Sequence, residues 1–540
     1  MTVKLPVPPA LGYVMYRVYK TGGMYGYLLR KMNAASPVFS PTYGRIGDRQ
    51  NGVKIITGGF TDNFLSGDTD PDKWHNWQWI NDLAAIATPE AQDKSTSLLL
   101  QWVREFADFK NKRKLEPEIW DKYSLAQRIC HFIYAWHPML SLGKTNNEEF
   151  EEIKISFAQQ LFHLANLSSK STLNFKEIYT CKALILACLT ECLDDKHLSS
   201  LENKLSTFID YHQLPDGGII DRNPEHAALL LEHLSDLRLA YEESQHPLPG
   251  FIQQALDRTA SFLQYLKFSD GRLPHFQGAE NKPGFKLDKI LKRCGFEGAA
   301  ALSAPHSGYG KANAGQTELI LDYGLPPLKK EAQSNYHASI ASFELYVGQT
   351  PFIINCGDVS TTDKNWSLAQ RSSSAHSTAI IADTNQTELN SHGIGRRLPS
   401  VSYDIQNSEE GTFLSVSHTG YEKNFGYHHN RQIFIYSNGN DIRGHDEFLT
   451  SQQSAPQNFK IRFHLHPSIQ VSLLQNKTAA LLKLPTGQGW RMRTDGAELS
   501  IEGSYFCDLG LQRNSKQIVL SNILKSDKTI VKWAFQVEGD

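Results

Sequence analysis

Up to about residue 313 the apolar positions recur with a helical period. Leu99, Trp102, Val103 and Phe106 fall at i, i+3, i+4 and i+7, one stripe of an amphipathic helix. Phe157, Leu161 and Leu164 repeat the pattern, as do Leu230, Leu234 and Leu237. Short polar or Gly/Pro breaks at 212–218, 245–250 and 269–271 divide the segments. No tight short repeat is visible, so the pattern predicts a long series of helix pairs.

From residue 314 onwards the texture is that of strands. Short β-rich runs occupy 339–347, 351–355, 378–381, 432–436, 460–466, 490–493 and 530–537. Turn residues such as Asn438-Gly439 and Asp495-Gly496 lie between them. Many antiparallel strands in series predict a β-sandwich. The expected organisation is α+β and multidomain, with a helical domain at 1–313 and an antiparallel β-sandwich at 314–540. The Pro-rich stretch 326–334 is the expected joining loop, and a cleft between two such domains is the expected place for a site.

Composition narrows the function. With 540 residues the chain exceeds what one core organises. Lys+Arg is 55 against Asp+Glu 57, so no global field exists for gripping a nucleic-acid backbone. The seven cysteines form no CxxC pair, which supports neither a disulfide framework nor a zinc ribbon. Cys181, Cys188 and Cys192 share one helical face and read as small buried hydrophobes. The start of the chain, with Pro6, Pro8 and Pro9, is a poor signal peptide, and no apolar run is long enough for a membrane span. A cytoplasmic setting without membrane insertion is expected, and homo-oligomerisation is left open. Dinucleotide, P-loop, zincin and α/β-hydrolase motifs are all missing from the sequence.

Polar clusters remain. Asp216 to His226 is a loop entering a helix, with Asn223 before Pro224 in the place of a helix cap. Others are His306–Gly310, Asn335–His337, Asn355–Asp358, Arg371–Thr378 and, as one cluster, His418–Tyr421 with the following Tyr427–Arg431. A lone histidine is more often structural than catalytic, but six such clusters favour a site. His464 and His466 share one side of a strand and read better as sandwich packing than as metal ligands.

At these residues the sequence resembles the heparinase II/III-like proteins, polysaccharide lyases with a helical toroid followed by a β-sandwich. Trp74-His-Asn-Trp77 is similar to the family's early aromatic helix, and the Arg128 to Trp136 segment to its Arg-plus-Trp helix. Asp216-Gly-Gly218 through Asn223 and His226, then His337 to Glu344, Phe352 to Gly357 and Arg371 to Thr378, follow in the family's order. The resemblance implies an incomplete (α/α) toroid and β-elimination on a uronic-acid-containing polysaccharide or oligosaccharide. That reaction must neutralise a carboxylate, remove the C5 proton and protonate the leaving O4 oxygen. Asn223 and Arg431 are the implied carboxylate partners, His226 or His337 the base, and Tyr309 or Tyr421 the acid. The glycines at 308 and 310 are expected to present the Tyr309 phenol. Trp74, Trp77, Arg128, Trp136, Arg222, His275 and His429 are the implied substrate contacts.

The chain also departs from the family. Asn335 and Ser339 stand where a histidine and an aspartate are expected, and the stretch Leu273–Gly278 lacks the family's tyrosine. His275, Tyr309 or Tyr421 would then replace it. The family's zinc set maps to His337, Asn355 and His376, and the neutral amide of Asn355 argues against a metal, so no cofactor is expected. Two other classes fit the same residues. One is a glycan-binding or scaffolding protein without chemistry. The other is a toroid glycoside hydrolase, for which Asp216, Asp221 and Glu225 are the carboxylates available.

Overall fold

The computed structural model describes residues 35–42, 47–57, 74–107, 119–140, 147–168, 173–281, 287–359, 363–391, 393–396, 398–450, 455–474, 477–525 and 527–539. The proline-bearing start of the chain lies outside these residues. Two compact units are formed. One holds the residues up to His212 together with Leu230–Leu256, and the other holds Gln213–Leu229 and Asp257–Asp540.

The first unit is helical, with described helices that include Pro89–Phe106, Lys122–Ala135, Asn147–Leu167, Glu177–Leu189 and Leu198–His212. Local chemistry sets their starts. Thr88 caps the first through the Ala91 N–H with Pro89 behind it, and Asp121 caps the second through Tyr123 and Ser124. The stripe Leu99, Trp102 and Val103 is buried, as the period requires, and Cys181, Cys188 and Cys192 are buried and free. No described helix is long and apolar enough to cross a membrane.

The second unit is dominated by strands: β1 (Tyr309–Ala314), β2 (Thr317–Asp322), β3 (Phe343–Val347), β4 (Thr350–Ile354), β5 (Ala379–Ile381), β6 (Leu389–Asn390), β7 (Gly393–Ile394), β8 (Val401–Asn407), β9 (Gly411–Tyr421), β10 (Tyr427–Tyr436), β11 (Asp441–Thr450), β12 (Gln457–Leu465), β13 (Gln470–Leu473), β14 (Ala479–Lys483), β15 (Gly489–Asp495), β16 (Glu498–Asp508), β17 (Leu511–Leu524) and β18 (Lys528–Val537). One sheet runs β1-β2-β3-β4-β12-β17-β16, with β5 also on β12, and a second runs β13-β14-β15-β18-β11-β10-β9-β8. Neighbours in both sheets are antiparallel.

Alternation along each strand turns one face inward. Leu319, Leu321, Phe343, Leu345 and Phe463 of the first sheet share one core with Ile433, Ile435, Trp490 and Phe535 of the second. In β10 the inward set is Tyr427, His429, Arg431, Ile433 and Ile435, which draws two polar residues into that core. Helices followed by antiparallel sheets are what the sequence pattern predicts, although the strands begin slightly earlier, at Tyr309.

Candidate functional site

The polar loop at 213–226 folds within the strand-bearing unit. Asp216 turns it, accepting from Gly218 N–H and from the N–H and hydroxyl of Ser307. Arg222 adopts a left-handed backbone, φ 65°, and its guanidinium runs inward. It donates to the carbonyls of Ser307 (2.7 Å) and Gly324 (3.3 Å), pairs with Asp322, and lies 5.0 Å above the Tyr309 ring. A Cβ at residue 324 would sit 2.1 Å from that guanidinium, so glycine there is a requirement of the ion pair. Burial opposes the charge of Arg222, but Asp322 outweighs it and raises the pKa.

Asp322 carries the link onward. Its second oxygen accepts from Ser339 Oγ (2.7 Å) and from Gln277 Nε2 (3.1 Å). The Gln277 carbonyl oxygen in turn accepts the His337 backbone N–H at 2.9 Å. Arg222, Asp322 and Gln277 therefore fix where His337 stands.

Three loops converge beside the next residue, Gly278, whose φ is +82°. A Cβ at Gly278 would lie 3.4 Å from Asp358 Oδ2, 3.5 Å from His337 Nε2 and 3.6 Å from Asn223 Nδ2. The spot is filled by no side chain and ringed by a carboxylate, an imidazole and an amide donor. Asn223 does cap its helix, its Oδ1 accepting the Glu225 N–H at 2.8 Å. That bond also fixes the amide plane, so Nδ2 is turned towards the same spot. The cap and the candidate contact are one arrangement.

His337 Nε2 lies 3.5 Å from Asp358 Oδ2, and His337 Nδ1 is 3.2 Å from His376 Nε2. Burial, then the neighbouring His337 and His464, hold His376 well below the ordinary histidine pKa and keep it neutral. His226 is partly exposed and bonds through Nδ1 to Asp221 Oδ2 at 2.5 Å. Glu225 accepts the Glu280 N–H at 2.9 Å and ties this loop to the Gly278 turn.

The other expected site residues are engaged in packing. Tyr309 is fully enclosed and its hydroxyl donates to the Arg222 carbonyl at 2.5 Å, so the flanking glycines do not present the phenol. Those glycines answer to closeness instead: a Cβ at Gly308 would meet Gly324 Cα at 2.1 Å. Tyr421 is likewise enclosed, donating to the Ala379 carbonyl at 2.7 Å. Burial raises the pKa of both phenols. Arg431 is paired with Asp446 at 2.8 Å and donates to the carbonyls of Ala341 and Ser377. His429 bridges Asp446 (2.7 Å) and His418 (2.9 Å). Both face the sandwich core because they share the inward face of β10. In the helical unit Trp74, Trp77 and Trp136 are buried, with Trp136 stacked on Phe150 and Trp77 edge-on to Trp102. Arg128 is enclosed between Trp102 and Trp120 and bonded to Gln160. Rings and guanidinium are packed by protein, so they offer no stacking platform. Asp216, Asp221 and Glu225 each hold the loop together, and none faces another across a gap.

His275 lies beneath the cluster, fully buried between two carboxylates. Its Nδ1 is 3.4 Å from Glu344 and its Nε2 3.4 Å from Asp508. Burial disfavours its charge, but Glu344 and Asp508 outweigh that and raise its pKa to about 9. With Nε2 also 2.8 Å from Asn281 Nδ2, it is a structural histidine rather than a substrate contact.

The residues matching the family's zinc positions do not fit that ion. His337 and His376 are bonded to each other, Asn355 Oδ1 accepts the Ser377 N–H at 3.0 Å, and Asn355 Nδ2 faces Glu344. Among the described residues no three of His, Cys, Asp or Glu converge on one point here, and the neutral amide of Asn355 supplies no carboxylate in their place. His464 bonds to Ser504 and to the Ser374 carbonyl, while His466 bonds to Ser468.

Sequence reasoning gave no role to Gln277, Gly278, Asp322, Asp358, Glu344 or Asp508. The one local signal was the Asp358 that closes the Asn355-Cys-Gly-Asp cluster. The rest act across the fold, between residues far apart in the chain.

A helical region followed by antiparallel sheets is a fold this chain shares with solved structures of heparinase III. Residues 297–534 match the family described as heparinase II/III-like, C-terminal. Over 474 residues the chain is 26% identical to FtsZ-localized protein C of Caulobacter vibrioides, covering 84% of this chain and 79% of that one. The crystal structure of heparinase III superposes with a TM-score of 0.70 at 15% identity, covering 99% of this chain and 93% of the other. A mutant of heparan sulfate lyase HepC from Pedobacter heparinus gives 0.61 at 12% identity, covering 86% and 76%. The motif resemblance in the sequence and the fold it implies are thus borne out; at these identities the structural likeness speaks for the fold.

Proposed function

We propose that the chain binds an acidic glycan at the Gly278 cluster and cleaves it by β-elimination. The observation that carries the reading is the convergence of Asn223 Nδ2, His337 Nε2 and Asp358 Oδ2, all 3.4–3.6 Å from one unfilled position. The Asn223 amide, held by its cap, donates to the uronate carboxylate and stabilises the enolate that forms there. With Nδ1 of His337 donating to His376, the Nε2 lone pair faces the cluster and removes the C5 proton. Asp358 stabilises the imidazolium that results. The C5–H electrons form the C4–C5 double bond as the C4–O4 bond breaks. His226, oriented by Asp221, donates the proton that O4 takes. Neither Tyr309 nor Tyr421 reaches this cluster, each being enclosed with its hydroxyl on a backbone carbonyl, and the histidines carry both proton transfers.

The test is incubation with a panel of uronate-containing polysaccharides, monitoring the ultraviolet absorbance of an unsaturated uronate. Turnover that disappears in His337→Ala and in Asn223→Asp, which keeps the capping oxygen, supports the proposal. Reducing ends without that absorbance point to hydrolysis and overturn it.

A second reading is glycan binding or scaffolding without turnover. The enclosure of both Tyr309 and Tyr421 favours it, because neither of those phenols can then serve as the acid. The Caulobacter relative, named for localisation at FtsZ rather than for a reaction, fits the same reading. Binding by calorimetry with neither product distinguishes it.

A further inference from the structure

The outer face of the second sheet carries a groove of about 580 Å³ that shares no residue with the Gly278 cluster. Strand register builds it. Arg493 pairs with Ala534, Ala534 with Arg443, Arg443 with Phe434 and Phe434 with Phe413, one row across β15, β18, β11, β10 and β9. In the next row Asp495 pairs with Lys532 and Lys532 with His445. Facing side chains on adjacent strands stand about 5 Å apart, so the two arginines flank the short Ala534 across a gap of about 10 Å. On the inward face of the same strand Gly444 stands opposite Trp533, and a Cβ there would lie 2.3 Å from that buried ring. Trp533 can therefore lie flat against β11, with its Nε1 donating to Asp446 at 2.8 Å.

The lining has a distinct chemistry. Arg443, Arg493 and Lys532 line it against one carboxylate, Asp495. Asp441, at the edge, holds the Arg443 guanidinium at 2.8 Å, yet that side chain stays 56% exposed. Phe413 and Phe434 are partly exposed in the same row, and Gln432 and Gln536 add amide donors and acceptors. We propose that this groove is a second glycan-binding site, which takes an acidic chain by clamping one carboxylate or sulfate between Arg443 and Arg493 while a sugar ring stacks on Phe434. Guanidinium forks suit planar or tetrahedral anions, and an aromatic face suits the C–H face of a pyranose. A peptide adding as a strand does not fit, because β18, β11 and β10 are hydrogen-bonded on both sides. Nucleic acid does not fit either, since three cations in a chain of net charge −2 cannot follow a phosphate at every sugar.

The experiment titrates the full chain with octasaccharides of heparan sulfate, hyaluronan, polygalacturonate and alginate by calorimetry at low salt. The comparison is between wild type, His337→Ala and the double variant Arg443→Ala/Arg493→Ala. At least one acidic octasaccharide is expected to bind, with a binding component that persists in His337→Ala and is weakened about tenfold or more in the double variant. Both arginines are exposed, so the double variant should keep the wild-type melting temperature, and Ala534→Trp, which fills the groove, should give the same loss. Four results overturn the proposal: binding to no acidic octasaccharide, unchanged affinity in the double variant, equal affinity for a neutral glucan octasaccharide, or equal affinity for a single-stranded oligodeoxynucleotide. Loss of binding in His337→Ala alone would place the ligand in the Gly278 cluster and likewise exclude the groove.

Discussion

Alkaline titration of His275 should destabilise the strand-bearing unit by an amount the structure sets. The folded pKa is about 9 against 6.5 for a free imidazole, a difference of roughly 2.5 units, or about 3 kcal/mol at 1.36 kcal/mol per unit. The sign follows from the direction. Because the folded pKa is raised, the contribution is fully present below pH 6.5 and is lost as pH rises through 9. The buried histidines with lowered values, His376, His418 and His464, act on the opposite side, withdrawing stability as pH falls below 6.5. The assay is urea unfolding of wild type and His275→Gln at several pH values between 6.5 and 9.5, read by tryptophan fluorescence. The variant leaves Glu344 and Asp508 without their shared cation, so at pH 6.5 it should be less stable than wild type by at least 3 kcal/mol or so. By pH 9.5 the gap should narrow by about 3 kcal/mol, since wild type has then lost the same charge. A gap that stays constant across this window would refute the buried imidazolium.

Tyr309→Phe should lower stability by about 1 kcal/mol, the worth of its bond to the Arg222 carbonyl, and leave any elimination activity intact. Arg431→Ala should cost about 3–5 kcal/mol in urea unfolding, because Asp446 would stay buried without its partner. Gly278→Ala should fold, since the new methyl meets only ordinary contacts, but its φ of +82° should cost about 1–2 kcal/mol, and glycan affinity at that site should fall. Elemental analysis of chain purified without chelators should find no stoichiometric zinc; one zinc per chain would show that His337 and His376 rearrange to bind it.

The split between helices and strands was legible because each period persists over many residues. The site was legible only where its chemistry is local. Asn223 before Pro224 announces a cap, but its second duty depends on Gly278, which reaches it only in the fold. Arg431 and His429 stand out as polar residues, yet they share a period-2 face with Ile433 and Ile435, and that face is the core. The alternation thus contained the answer, and the attraction of a polar cluster obscured it. Tyr309 failed for another reason. Glycines on both sides of an aromatic permit exposure, but here they make room for Gly324 and for the Ile405 and Tyr323 side chains. The Arg222–Asp322–Gln277–His337 chain has no sequence signature, since each link joins residues dozens to a hundred positions apart.

Arg222 has a consequence for how the chain acquires its shape. Its partners at 307, 308, 322 and 324 all lie 85–102 positions further along. During synthesis Arg222 therefore emerges well before any of these partners, and its guanidinium stays without them until the first strand pair has been translated. The helices on either side have no such wait, because their caps and stripes are local. A polypeptide cut off near residue 300 could keep its helices while lacking every anchor for Arg222. Successively longer nascent chains should protect the 216–226 loop from proteolysis only once residue 324 has cleared the ribosome.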